Sequence, residues 1–276
     1  MLDTRAENAE RDRRQFLAAA GQFSAVVPPA MTLLLSTTMN SAAIAQSTFE
    51  RSSFDLIYAR PGQTADMWRA ELQDALSRAG EHLSLYQLTI EENTPYHALH
   101  AAGKLVLPDE DTSRALWDVT QEVMSAAGLP AYEISSHARP GAESRHNLVY
   151  WRSGEWAGIG PGAHARIDMR DGRHAMSTER NPEHWAARVE QTGNGVVADE
   201  KLDPVEVADE YLLMGLRLTE GVDIDRFEKL AGYRLDPERI RDLESHGLIS
   251  RPAPGRLSVT TAGFPVLDAV VADLAA

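Results

Sequence analysis

The sequence predicts an α/β protein, on three observations. From residue 49 onward short apolar runs alternate with amphipathic helical stretches, the helical stretches begin at capping residues and end at glycine, and a chain of 276 residues with 43% hydrophobic and 25% charged residues can bury a core. Phe54-Asp55-Leu56-Ile57-Tyr58 reads as a strand that leaves into a loop at Pro61-Gly62. Thr64 is placed to cap a helix in which Trp68, Leu72, Ala75, Leu76 and Ala79 share a face, with Gly80 as its stop. A second strand runs from His82 to Ile90. Asp109 or Asp111 opens a second helix with Leu116, Val119, Val123 and Ala127 inward and Gly128 as stop, and Tyr132-Glu133-Ile134-Ser135 reads as a third strand. The order βαβαβ predicts a parallel sheet with crossover helices.

The last third reads differently. Asp203-Pro204-Val205-Glu206 supplies an N-cap, an N1 proline and an acidic first turn, and Tyr211, Leu212 and Leu216 follow on one face. A short helix over 224–230 stops at Gly232, and Asp236-Pro237 starts another that stops at Gly247. Leu248-Ile249 and Leu257-Ser258-Val259 flank Pro252-Ala253-Pro254-Gly255 as a hairpin, and Leu267, Val270, Val271 and Leu274 mark a closing helix. Three helices, a hairpin and a last helix predict a winged-helix-like α+β module. Fourteen acids against eight bases from Asp203 to the end argue against a DNA-binding wing and for a packing domain.

Composition excludes several functions. A formal net charge of -14 repels nucleic acid and anionic membrane surfaces. The chain has no cysteine, which excludes disulfides, thiolate-bound zinc, cysteine nucleophiles and any iron–sulfur cluster ligated by thiolates of this chain.

The first 48 residues do not match the rest. Asp12-Arg13-Arg14-Gln15-Phe16-Leu17 resembles a twin-arginine export signal, an uncharged stretch follows from Ala18, and Ala43-Ile44-Ala45 fits a small-residue cleavage site. Pro28 and Pro29 interrupt the stretch and make it a poor membrane span. An amphipathic tail or hairpin, or a junction of two unrelated reading frames, accounts for the same residues.

Three segments carry a resemblance. They are Phe54-Asp55-Leu56-Ile57-Tyr58-Ala59-Arg60-Pro61-Gly62-Gln63-Thr64, His82-Leu83-Ser84-Leu85-Tyr86-Gln87-Leu88-Thr89-Ile90-Glu91, and His146-Asn147-Leu148-Val149-Tyr150-Trp151 followed by Gly158-Ile159-Gly160-Pro161-Gly162-Ala163-His164. In this order and spacing they resemble the HemW family of radical-SAM heme chaperones, relatives of oxygen-independent coproporphyrinogen III oxidase. The resemblance implies a partial radical-SAM (β/α) barrel over 49–170, a connecting segment over 171–202 and a HemN/HemW-type carboxy-terminal domain over 203–276, behind a signal-like segment over 1–48. The family's cluster-binding Cys-x-x-x-Cys-x-x-Cys and its glycine-rich SAM segment have no counterpart here. The chain therefore lacks the ligands of the [4Fe–4S] cluster that delivers the electron for cleavage of S-adenosylmethionine.

The resemblance also implies site residues. Asp55 and Ile57 fall where the family contacts SAM, although Ala59-Arg60-Pro61 stands where the family more often has Gly-Leu-Pro. A backbone-bonded carboxylate at a strand end is the plainer reading of Asp55. His146 is the motif histidine and a candidate axial ligand of heme iron, with Tyr150 and Trp151 to stack on the porphyrin, Asn147 to orient the imidazole and His164 as a second candidate ligand. The plainer alternative is that His146, Tyr150 and Trp151 brace the junction of barrel and tail. Gly158 to Gly162 is better read as close backbone packing than as a phosphate loop, because Pro161 interrupts it.

These readings lead to a HemW-like fragment that takes heme or porphyrin as partner and needs another chain for any radical chemistry. The alternatives are a coproporphyrinogen oxidase-like subunit completed by a second chain, an exported non-enzymatic binding module, and a remnant without selected function. The resemblance implies a cytoplasmic protein; a working twin-arginine segment implies export. A partial barrel leaves the strand at Phe54–Tyr58 as an apolar edge, for which the candidates are cover by residues 26–35 folding back, self-association, or partial disorder. Removing the residues before Phe49 is therefore expected to lower solubility, measured by sedimentation of the truncated chain; an equally soluble monomeric truncation contradicts this.

Overall fold

The computed structural model describes residues 52–275 apart from Asn93. The signal-like segment and the apolar stretch expected to cover the first strand lie outside the described residues. The chain divides into two units, residues 53–74 with 81–276, and residues 1–52 with 75–80. Of the second unit the described part is Ser52 and the end of one helix with the turn after it. All that follows concerns the first unit.

Strand β1 (Ser53–Tyr58), helix α1 (Ala65–Leu76) and strand β2 (His82–Gln87) form a βαβ unit whose strands pair in parallel, Phe54 beside Leu83 and Leu56 beside Leu85. Alternation along the strands sends Phe54, Leu56, Tyr58, Leu83 and Leu85 to one face. There the ring of Tyr58 stacks on Trp68 at 5.3 Å between centroids. Trp68 and Leu72 of α1 are fully buried. The indole N–H of Trp68 donates to Thr120 Oγ1 at 2.8 Å, and that hydroxyl donates onward to the Leu116 carbonyl at 2.8 Å. A buried indole donor and a buried hydroxyl thus satisfy each other inside an apolar layer.

Helix α2 (Pro95–Ala101) and helix α3 (Glu110–Ala126) follow. Asp109, one of the two predicted caps, accepts the Thr112 N–H at 2.8 Å. Leu116, Val119 and Val123 are buried as their periodicity predicts, but Met124 rather than Ala127 completes the face, since the helix ends at Ala126.

The expected third parallel strand is not formed. Residues 131–135 make only single bridges, and the strand β3 (Ser136–Ala138) runs antiparallel to β2, so the sheet order is β1-β2-β3 with mixed direction. The reason is a tight reversal. Tyr132 N–H bonds the Ser136 carbonyl at 3.1 Å and Ala138 N–H bonds the Pro130 carbonyl at 3.2 Å, so the chain doubles back before it can lie beside β2 in the parallel sense.

Helix α4 (Arg145–Trp151) leads to a separate antiparallel sheet of β4 (His164–Met169), β5 (Gly172–Thr178) and β6 (Val196–Lys201), with helix α5 (Pro182–Thr192) between β5 and β6. Residues 171–202, read from sequence as a connecting segment, thus carry two strands and a helix. Gly158 to Gly162 is loop, and a Cβ on Gly158 would lie 2.6 Å from the His164 carbonyl oxygen, so the glycine is needed for close backbone packing.

The carboxy-terminal part has the predicted element order. Helix α6 (Pro204–Gly215) begins at a full capping box between Asp203 and Glu206. Strand β7 (Val222–Asp223), helices α7 (Ile224–Ala231) and α8 (Pro237–Ser245), strands β8 (Ile249–Ser250) and β9 (Arg256–Val259) and helix α9 (Leu267–Ala275) follow. Sequence reading missed β7, which at two residues carries no periodic signal; it joins the hairpin in the order β7-β9-β8. One core gathers Leu212, Phe227, Ile240, Leu257, Val270 and their neighbours, with Ile134 from the reversal packed against it.

Two backbone and side-chain features generate expectations. Ala59 is buried in the left-handed region at φ 59°, where its Cβ crowds the following carbonyl. Ala59→Gly is expected to raise unfolding free energy by about 1 kcal/mol in urea denaturation. His137 shares the helix-covered face with Leu83, is 1% exposed, and neither ring nitrogen has a hydrogen-bond partner among the described residues. Burial pushes it down from 6.5 to about 4. The unfolded chain therefore takes the proton first, so this stability is present above pH 6.5 and is lost as pH falls toward 4. Relative to His137→Leu, the native chain is expected to lose about 2 kcal/mol between pH 7 and pH 5 in urea titrations, and a parallel pH response of the two chains contradicts the assignment.

Candidate functional site

The face of the first sheet opposite α1 is polar. Register places Ser53, Asp55 and Ile57 of β1 beside His82, Ser84 and Tyr86 of β2, with Ser136 of β3 beside Ser84. A chain of hydrogen bonds crosses it. Ser53 Oγ lies 2.7 Å from His82 Nδ1, and His82 Nε2 lies 2.9 Å from the Tyr132 hydroxyl. That hydroxyl accepts from Asn147 Nδ2 at 3.3 Å and from the Ser144 N–H at 3.4 Å. Asn147 also reaches Ser136 Oγ at 3.5 Å, and Ser136 donates to Ser84 at 3.3 Å. Burial pushes the Tyr132 phenol up, keeping it protonated and able to donate. Glu133, 1% exposed, accepts the N–H of Ser135 at 3.0 Å and its hydroxyl, and burial pushes its carboxyl above the usual range.

The residues singled out from sequence distribute as follows. Asp55 and Ile57 are exposed on this polar face, and the Asp55 carboxylate makes no hydrogen bond among the described residues, so the backbone-bonded reading does not describe it. Asn147 is spent on Tyr132 and Ser136, not on His146. His146 is exposed near the start of α4, which Ser144 caps through the Asn147 N–H at 3.3 Å. One helical turn on, the Tyr150 ring meets His146 edge-on at 4.8 Å. Trp151 lines a cavity with Arg152 and Tyr211. His164 is exposed at the head of β4, paired with Ser177, and no ring contact joins it to His146.

One residue was missed. Trp156 lies edge-on to Tyr150 at 4.7 Å and extends the row His146–Tyr150–Trp156. Its position is fixed by backbone bonds to Arg166 in both directions at 2.9 and 3.0 Å. The guanidinium groups of Arg166 and Arg173 sit 5.8 and 6.0 Å from its ring centre. No helical or strand period links 150 to 156; only the loop that returns the chain onto β4 brings them together.

This arrangement offers a solvent-facing imidazole on an aromatic row, beside a polar sheet face. It does not offer thiolates. The chain has no cysteine, so its residues do not fit a [4Fe–4S] cluster.

Comparison with known proteins agrees with this picture. Residues 202–266 match the HemN C-terminal domain family. Heme chaperone HemW of Bacillus subtilis is 33% identical over 204 residues, covering 73% of this chain and 53% of that protein. Heme chaperone HemW of Synechocystis is 37% identical over 180 residues, 65% of this chain and 43% of that one. The mitochondrial radical S-adenosyl methionine domain-containing protein 1 of Mus musculus is 33% identical over 234 residues, 81% of this chain and 53% of that one. The chain thus spans about half the length of the curated relatives it matches. The solved structure of coproporphyrinogen III oxidase (HemN) from Escherichia coli, a radical SAM enzyme, superposes with a TM-score of 0.66 over 86% of this chain and 58% of that one at 16% identity, a likeness of fold. Related in sequence to the heme chaperones and in fold to the oxidase, the chain belongs to the HemW/HemN-like family of radical-SAM-related proteins.

Proposed function

We propose that this chain is a HemW-like heme-binding module that performs no radical chemistry by itself. The observation that carries the reading is His146, an exposed imidazole presented on a capped helix and backed edge-on by Tyr150 and Trp156. In this reading heme is cargo. His146 donates a ring nitrogen to the iron, the aromatic row supplies an apolar wall for the macrocycle, and the Tyr132 network holds α4 against the sheet so that the imidazole keeps its aim. Asp55 and Ile57 are then relics of a SAM-facing strand, still on the polar face with no cluster to serve. Residues 49–170 act as the barrel part and 203–276 as a winged-helix-like packing domain.

A second reading has one observation in its favour. Among the described residues β1 pairs only with β2, so its other edge is open to a strand. A coproporphyrinogen oxidase-like subunit, completed there by a chain that supplies the cysteines, uses that edge. As to compartment, no helix among the described residues is long and apolar enough to cross a membrane. The compartment proposed from the family resemblance is the cytoplasm, with export as the alternative if the twin-arginine-like segment works.

Hemin titration of the full chain, followed at the Soret band beside His146→Ala, tests the main reading. A saturable, shifted band is expected for the native chain, with at least tenfold weaker binding for the variant. Equal titrations, or no saturable shift in the native chain, overturn it and leave the completed-subunit reading, which calls for a stable complex with a second chain by sedimentation.

A further inference from the structure

Away from the polar sheet face lies a second concave site. A cavity of about 290 Å³ opens between the end of α4 and the carboxy-terminal core, with Trp151, Arg152, Tyr211, Glu220, Arg226 and Arg256 on its walls. Its arginines are not equivalent. Arg152 is neutralised by Glu220 through a two-point pair at 2.8 and 2.8 Å. Arg226 instead donates to two carbonyls, those of Arg152 and Ser153, at 2.9 and 3.2 Å, with its guanidinium 4.6 Å from the Tyr211 ring centre. Arg256 donates to the carbonyls of Glu220 and Gly221 at 2.8 and 2.9 Å and lies 3.7 Å from the already paired Glu220 carboxylate.

A carbonyl fixes the position of a guanidinium without cancelling its charge. The wall therefore holds three cations against two carboxylates, Glu220 and Asp223, the latter keeping its charge while it caps α7 through the Arg226 N–H at 2.8 Å. This is a pre-positioned positive concavity in a chain of formal net charge -14. The carbonyls take both terminal nitrogens of Arg226 and the Nε and Nη2 of Arg256, and among the described residues Nε of Arg226 and Nη1 of Arg256 carry no hydrogen bond, so each can donate to an oxygen of a carboxylate or phosphate.

We propose that this cavity is an oxyanion-binding site, with Arg226 and Arg256 as its anchoring cations and Glu220 as the carboxylate an incoming anion competes with. The oxyanion has two sources, a free anion or the carboxylate arm of a tetrapyrrole. The site does not require heme ligation at His146, so the two readings fail separately.

The test uses the full chain and two probes, inorganic phosphate and metal-free coproporphyrin, which has carboxylate arms but no iron for His146. Binding is followed by calorimetry and tryptophan fluorescence. Arg226→Gln is expected to weaken binding about tenfold or more. Glu220→Gln, which removes the competing charge, is expected to tighten binding roughly fivefold. That gain cannot come from misfolding, and His146→Ala is expected to leave phosphate binding unchanged. Phosphate binding with these opposite responses supports a free-anion site; the same responses with the porphyrin alone support a tetrapyrrole carboxylate. Binding of either probe that ignores both substitutions, or no saturable binding of either, overturns the proposal.

Discussion

Tyr132 ties together parts of the chain that are far apart in sequence. Its hydroxyl reaches His82 on β2 and accepts from Ser144 and Asn147 at the start of α4. Its backbone N–H closes the reversal onto Ser136, and its carbonyl accepts both the N–H and the hydroxyl of Thr219, just beyond α6. One residue thus fixes the polar sheet face, the helix that presents His146 and the start of the carboxy-terminal core. Each of these bonds is worth about 1 kcal/mol on its own, but they share one phenol and one peptide unit. Loss of the ring takes one hydrogen-bond partner each from His82 and Asn147.

The fold was legible where local chemistry and packing agree. Asp203 and Asp109 cap the helices they were read to cap, and Leu267, Val270, Val271 and Leu274 are buried on the side their spacing predicts. It was less legible where pairing partners decide. Tyr132-Glu133-Ile134-Ser135 has the apolar content of a strand, yet the hydrogen bond from Tyr132 N–H to the Ser136 carbonyl turns it into a reversal. The sheet of β4, β5 and β6 is polar and half-exposed, so its strands lack the apolar runs that mark buried ones.

The site was legible as a motif but not as a geometry. His146 and Tyr150 stand one turn apart on one helix, so their contact follows from spacing. Asn147 and Trp151 are equally close in sequence but leave on other faces, one toward Tyr132 and one lining the arginine-walled cavity. Trp156 joins the row from a loop, held there by the bridge to Arg166 and by the guanidinium groups beside its ring. Side-chain direction on a short helix needs the neighbouring elements to be known, and a single sequence does not supply them.

The direction of β3 has a consequence for assembly. A sheet recruits further strands through whichever border still presents a long ladder of donors and acceptors. β3 is three residues long and runs against its neighbour, so that border is too short to template another strand. β1, six residues long and parallel to β2, borders the other side. Among the described residues, growth of this sheet is therefore favoured beside the six-residue β1 over the three-residue β3.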